Sequence, residues 1–273
     1  MNNYKLRDKF DRKASLWNKF IRACAESMKN NNLDLFLLTN DKLKVKTWMQ
    51  DFVSTEHILP PLVIDKDPAV VFEKTKIPNF YLKCNLYSGL NARIQDGKFC
   101  LGRTTDATDY NGYSKFKNDL LTLYQKESFG LYEYQKCGDP LYFSESALND
   151  IVDYKHFFIY GDHFMTQTVY NIEQGTPNIK EAMVWPDGSP VGAQLVNAIS
   201  QAFVKPKSWN QQIAVCKPIA KYFDFIRIDV ITQEDSDKFY IAEIEPLPRR
   251  GNYKAKDIMK IINPKLQKDY GII

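Results

Sequence analysis

Ile226-Arg227-Ile228-Asp229-Val230 is followed, after a polar break, by Tyr240-Ile241-Ala242-Glu243-Ile244-Glu245-Pro246. Side chains alternate faces along a strand, so Arg227 shares a face with Asp229, and Glu243 shares one with Glu245. The intervening Ile226, Ile228, Val230, Ile241 and Ile244 predict a buried opposite face. If the two strands form a hairpin with Glu234-Asp235-Ser236-Asp237 at its tip, one guanidinium and three carboxylates meet on one surface. Two readings fit. Carboxylates gathered on an apolar hairpin repel one another unless a cation sits among them, and hard oxygen ligands select Mg²⁺. Alternatively the surface is the solvated face of an edge hairpin, with Arg227 neutralising Asp229.

N-terminal to the hairpin, Asn210 to Tyr222 and Pro190 to Phe203 have the spacing of amphipathic helices. Before them come predicted strands at His163 to Ile172, Asp153 to Tyr160 and Leu141 to Glu145, the first two joined at Gly161-Asp162. Lys155 falls on the face of Asp153. A helix is predicted from Ser114 to Gln125, and two short strands from Ala92 to Leu101 around Asp96-Gly97. Lys83 lies in the predicted strand Asn79 to Asn85, ahead of the small polar turn Tyr87 to Asn91. Ser88-Gly89 in that turn presents N–H groups able to close over phosphate oxygens, with the lysine as a point charge. No P-loop pattern is present.

In the first third, Ser15 to Lys29 places Leu16, Phe20, Ile21, Ala25 and Met28 on one helical face, and Leu33 to Leu38 reads as a short strand. Asn40 or Asp41 then caps a helix carrying Leu43, Val45, Trp48, Met49 and Phe52 until Pro60-Pro61. The predicted organisation is an α/β segment over 1–76, a small lobe over 77–145 and a C-terminal lobe over 146–273.

Composition removes several function classes. The 37 basic residues barely exceed the 33 acidic ones, so the formal charge of +4 is too small for a dedicated nucleic-acid binder. The three histidines His57, His156 and His163 leave catalysis to Asp, Glu, Lys and Arg. The five cysteines Cys24, Cys84, Cys100, Cys137 and Cys216 form no C-x-x-C pair and fit a reducing cytoplasm. No apolar run approaches the roughly 20 residues of a membrane span, and the first residues lack a signal-like core, so a cytoplasmic location is expected.

The order of these signals resembles the ATP-grasp superfamily, and more closely its TupA-like branch, associated with teichuronopeptide and capsular polysaccharide synthesis. The residues that carry the resemblance are Thr39-Asn40-Asp41-Lys42 with Lys46, Leu82-Lys83-Cys84-Asn85 with Ser88-Gly89, Asp153-Tyr154-Lys155 with Gly161, and Arg227-Ile228-Asp229 with Glu243-Ile244-Glu245-Pro246. The resemblance implies an α+β protein of the ATP-grasp fold, with two α+β lobes clamping a nucleotide cleft.

It further implies ATP and Mg²⁺ as cofactors. Lys42, Lys83 and Lys155 would contact the phosphates, with Tyr87 to Asn91, including Ser88 and Gly89, as the lid. Glu145, Ser146 and Leu148 would belong to the adenine hinge, with Glu145 or Asp153 near the ribose. Asp229, Glu243 and Glu245 would hold the metal, Glu245 standing where many ATP-grasp enzymes have Asn. Arg227 would stabilise the transferred phosphoryl group or acyl intermediate, with Lys155 beside it. Arg249-Arg250-Gly251 is either an anionic-acceptor site or a solvated basic cluster. The implied activity is a carboxylate-amine ligase joining a small-molecule or saccharide carboxylate to an amine. A phosphotransferase on the same scaffold and a non-catalytic nucleotide-binding module are the alternatives.

Overall fold

Ser15 has extended backbone, and its Oγ accepts the N–H of Asn18 at 3.2 Å, which sets the start of α1 (Leu16–Asn31). The structure, a computed structural model, describes residues 15–86, 91–95, 98–101, 118, 137–148, 151–170, 180–192, 194–195, 199–233, 236–248, 255–256 and 258–272. The expected strand at Leu33 to Leu38 is instead a helix, α2 (Leu33–Thr39). Asn32 caps it, its side-chain oxygen accepting the Leu35 N–H at 3.2 Å. The leucine-rich run contains no β-branched residue to favour a strand. Asp41 caps α3 (Lys42–Met49) through the N–H groups of Leu43 and Lys44, and Phe52 lies beyond the helix end.

Two compact units divide the chain, one drawing on Leu37–Ile151 and Ile172–Thr176, the other on Met1–Phe36, Val152–Asn171 and Pro177–Ile273. In the first, the described strands are β1 (Val63–Asp65), β2 (Phe80–Cys84), β3 (Asn91–Gln95), β4 (Lys98–Leu101) and β5 (Tyr142–Ser146), with α4 (Pro68–Lys74) between β1 and β2. They form one sheet in the order β1-β5-β2-β3-β4. Phe80, Leu82, Cys84, Ala92 and Ile94 alternate onto one face and pack with Val71 of α4. Tyr81, Lys83 and Glu145 therefore share the other face. The predicted helix from Ser114 to Gln125, apart from Asn118, and Tyr87 to Leu90 of the predicted turn lie outside the described residues.

The second unit contains β6 (Ile151–Ile159), β7 (Asp162–Tyr170), β8 (Lys180–Val184), β9 (Gln194–Leu195), β10 (Ile199–Ser200), α5 (Trp209–Ala220), β11 (Phe225–Gln233), β12 (Phe239–Glu245), β13 (Ala255–Lys256) and α6 (Ile258–Tyr270). Its larger sheet runs β10-β8-β7-β6-β11-β12, and β9 pairs with β13. Tyr160 and Gly161, both at positive φ, turn β6 into β7. α1 and α6 supply Trp17, Phe20, Ile262 and Leu266 to a core shared with Phe157, Met165 and Phe225 of the sheet. Trp17 centres it, with ring centroids 5.3 to 5.8 Å from Phe225, Phe164 and Phe157.

The helix expected over Pro190 to Phe203 is absent from its described residues. Pro190 bridges to Val184, Gln194–Leu195 pairs with β13, and Ile199–Ser200 runs parallel to β8. Gly192, at φ +77°, interrupts any helical path. β8 itself escapes a reading by apolar pattern because one of its buried residues is Glu181.

Candidate functional site

The two strands pair as a hairpin with Arg227 opposite Glu245 and Asp229 opposite Glu243, which brings the four side chains to one face as the alternation predicts. A bulge falls directly after Asp229, which keeps Val230 opposite Ile241 despite the extra residue Ala242. The exposed-face alternative fails on burial, since Arg227 is 6 % and Asp229 4 % exposed.

Arg227 Nε donates to Asp229 Oδ1 at 2.5 Å and Nη2 to Oδ2 at 2.7 Å, a bidentate pair within one strand. Nη2 also reaches Glu245 Oε2 at 2.6 Å. From the neighbouring strand β6, Lys155 Nζ donates to Asp229 Oδ2 at 2.8 Å and to Asp153 Oδ2. Phe225 and Phe157 precede and follow these residues on the same face, so the α1–α6 core ends where the charges begin. This is how the fold positions the cluster: one strand face is apolar under the helices and ionic beyond them.

The electrostatics split the carboxylates. Burial would raise Asp229, but the Arg227 guanidinium and the Lys155 ammonium outweigh it and hold the carboxyl below its ordinary range. Burial raises Asp153, helped by the Asp229 charge and only partly opposed by Lys155. Burial also pushes Glu245 up to about 7 against the pull of Arg227, with Glu243 and Asp229 adding repulsion. Lys155 loses by burial and gains more from its two aspartates, so it stays charged. Two cations thus face four carboxylates, and the buried Asp153 Oδ1 has no hydrogen-bond partner among the described residues.

Such a surplus of hard oxygen donors is what a divalent cation would need. In their present rotamers, no three His, Cys, Asp or Glu side chains among the described residues are grouped to hold a metal ion. The Arg227 guanidinium occupies the space between Asp229 and Glu245.

A second cluster forms in the other unit. Glu145 on β5 is buried, and its carboxylate is held at both oxygens: Lys83 Nζ lies 2.5 Å from Oε2 and Lys46 Nζ 2.8 Å from Oε1. Lys83 and Glu145 lie on the same sheet face because Tyr81 registers opposite Glu145 and Lys83 opposite Phe143. Lys46 descends from α3, is 5 % exposed, and also donates to the Leu59 carbonyl at 2.7 Å. Burial works to raise Glu145, but Lys83 and Lys46 prevail and hold it below the ordinary carboxyl value. Lys42, the residue sequence reasoning singled out on this helix, starts α3 with its backbone N–H on the Asn85 carbonyl at 2.9 Å. Ser146 ends β5, Leu148 follows it half-buried, and the Ala147 N–H between them donates to the Asn79 carbonyl at 3.1 Å. Ser88, Gly89, Arg249, Arg250 and Gly251 lie outside the described residues.

Sequence reasoning missed Gln167 and Glu181. Gln167 registers opposite Lys155, and Glu181 opposite Val169, which faces Asp153. Both therefore extend the ionic face across β7 and β8, where Gln167 Nε2 donates to Glu181 Oε2 at 2.8 Å. Gln167 was accessible from alternation along its strand, whereas Glu181 required β8. The histidines belong to the opposite face: Thr166 Oγ1 lies 2.8 Å from both His156 Nδ1 and His163 Nε2. His156 Nε2 lies 3.1 Å from Gln212 Oε1 of α5. Burial drives His156 down to about 4 and His163 to about 3, so both are neutral packing groups.

No family model and no curated protein matches the chain. Solved structures do. An L-amino acid ligase from Bacillus licheniformis aligns with TM-score 0.50 at 10 % identity over 85 % of this chain and 49 % of its own. D-alanine-D-alanine ligase from Helicobacter pylori gives TM-score 0.49 at 14 % identity over 93 % and 69 %. The ATP-grasp ligase PsnB, solved with a phosphomimetic variant of its minimal precursor, Mg and ADP, gives 0.41 at 9 % over 85 % and 58 %. The chain thus spans little more than half the length of PsnB and about half that of the L-amino acid ligase. At such identities the likeness to the L-amino acid ligase is one of fold, and the mixed α+β architecture is that of the ATP-grasp fold. Among the described residues no helix is long and apolar enough to cross a membrane.

Proposed function

We propose that this chain is an ATP- and Mg²⁺-dependent carboxylate-amine ligase of the TupA-like branch, acting in modification of a cell-surface polysaccharide or peptide. The observation that supports it most is the buried ionic face of Arg227, Asp229, Lys155, Asp153 and Glu245, with more carboxylates than cations on it. The order of motifs along the chain and the ATP-grasp fold support the same reading.

Asp229, Glu243 and Glu245 are the residues that would hold Mg²⁺, which when bound neutralises phosphate charge. Arg227 and Lys155 stabilise negative charge on the phosphoryl group being transferred. Lys83, Ser88, Gly89 and Lys42 bind nucleotide phosphates, and Glu145, Ser146, Leu148 and Asp153 bind the adenosine part. Lys46 fixes Glu145 from behind. In the reaction the γ-phosphoryl group passes from ATP to a carboxylate oxygen, giving ADP and an acyl phosphate. An amine then attacks the acyl carbon, the C–N bond forms, the C–O bond to phosphate breaks, and orthophosphate leaves as the nitrogen gives up a proton.

The test is incubation with ATP, Mg²⁺ and pools of amino acids and uronic acids, read by mass spectrometry. An amide with stoichiometric ADP supports the reading, and a phosphorylated sugar or alcohol replaces it with the phosphotransferase. Full ATP turnover by Asp229→Asn and Glu243→Gln contradicts the metal assignment.

A further inference from the structure

Arg227 touches both of the carboxylates between which a metal ion would have to enter. Its Nε and Nη2 take both oxygens of Asp229, and Nη2 takes Oε2 of Glu245 as well. A guanidinium in that position supplies the charge compensation that a cation would otherwise give, and it does so in a buried place where unpaired carboxylates are costly. Lys155, which shares Oδ2 of Asp229 with the guanidinium, keeps that carboxylate paired with one cation even when the guanidinium leaves.

We propose that Arg227 is a resident counter-cation that excludes divalent metal from Asp229 and Glu245 until a nucleotide phosphate draws the guanidinium away, so that metal binding requires nucleotide. This rests on the ligase reading only for the identity of the metal carboxylates. The exchange leaves neither partner bare: the guanidinium moves from two carboxylates to phosphate oxygens, and the divalent ion, with one charge more, takes its place on the carboxylates. Wasteful metal capture by the nucleotide-free protein is thereby suppressed, and Arg227 arrives at the phosphates as part of the same event.

The experiment is Mn²⁺ titration of the full chain, followed by electron paramagnetic resonance, with and without ADP, for the wild type, Arg227→Gln and Arg227→Lys. Wild type is expected to bind Mn²⁺ weakly alone and strongly with ADP, whereas Arg227→Gln gains about tenfold or more in affinity for Mn²⁺ alone. Arg227→Lys, which cannot form the bidentate pair, falls between. Because a buried arginine can be needed for folding, the wild type is also followed by ¹⁵N NMR of the arginine Nε–H. Its shift should change on Mn²⁺-free addition of ADP with Mg²⁺ and not with Mg²⁺ alone. Equal Mn²⁺ affinity with and without the guanidinium, or an Nε–H signal that Mg²⁺ alone displaces, overturns the exchange and leaves the metal site standing. Failure of every protein to bind Mn²⁺ even with ADP overturns both the exchange and the metal assignment.

Discussion

Lys155 Nζ lies 2.8 Å from Oδ2 of Asp229, although the two residues are 74 positions apart in the chain. The contact joins β6 to β11 and gives Asp229 a second cation beside Arg227. Among the described residues, removing the ammonium leaves Asp153 with no cation in contact and Asp229 with one. Lys155→Met should therefore destabilise the protein by about 3 kcal/mol, as broken buried ion pairs do. Combining it with Asp153→Asn should recover part of the loss. Denaturant midpoints of the two single variants and the double variant measure the coupling. Strictly additive losses would show that Lys155 and Asp153 do not interact.

Glu145 is gripped by two lysines of unequal burial, and the asymmetry predicts an order. Glu145→Gln leaves the buried Lys46 without its carboxylate and should cost about 3 kcal/mol. Lys83→Ala removes a side chain that is 20 % exposed and leaves the Lys46 pair intact, so its stability cost should be smaller. Its nucleotide affinity should fall at least as far as that of Glu145→Gln. Thermal shift with and without ATP separates the two effects. A larger stability loss for Lys83→Ala would reverse the assignment of Lys46 as the anchoring cation.

The histidine pair sets a pH response whose sign is fixed. His156 titrates near 4 in the fold against about 6.5 when unfolded. The unfolded chain therefore binds the proton first as pH falls. The stability this residue contributes is fully present above about 6.5 and declines as pH drops toward 4. The advantage of wild type over His156→Gln should shrink across that window. Histidine NMR should show the ring still neutral at pH 5, and a ring that charges near 6.5 would contradict its burial.

Glu245 acts in the opposite direction. Its carboxyl titrates near 7 in the fold and near 4.5 unfolded, so the stability it contributes is present below about 4.5 and lost as pH rises through 7. Glu245→Gln cannot ionise and should gain on wild type across that rise. Denaturant midpoints at pH 5 and pH 8 decide it. A wild-type advantage that grows with pH would mean that Arg227 lowers the carboxyl more than burial raises it.

The ionic face was legible in sequence because alternation is a local property: Arg-x-Asp and Glu-x-Glu need only period two to share a side. Their register was not, since a slip of two residues keeps the same faces, and the bulge after Asp229 lies outside simple alternation. What stayed hidden depended on partners far along the chain. Nothing local to α3 tells that Lys46 meets Glu145, 99 positions further along on β5. Glu181 carried no strand signal because a buried carboxylate breaks the apolar pattern of β8. Leu33 to Leu38 failed for a different reason, since six residues of mostly leucine fit either element and the Asn32 cap decided between them.

The most direct test of carboxylate activation follows oxygen. The protein is incubated with ATP, Mg²⁺ and a pool of amino acids and uronic acids labelled with ¹⁸O in their carboxylates, and the released phosphate is analysed by mass spectrometry. One ¹⁸O atom is expected in each orthophosphate formed, carried over when the acyl C–O bond breaks. ATP consumption that yields only unlabelled orthophosphate, or a phosphorylated alcohol and no orthophosphate, would contradict carboxylate activation.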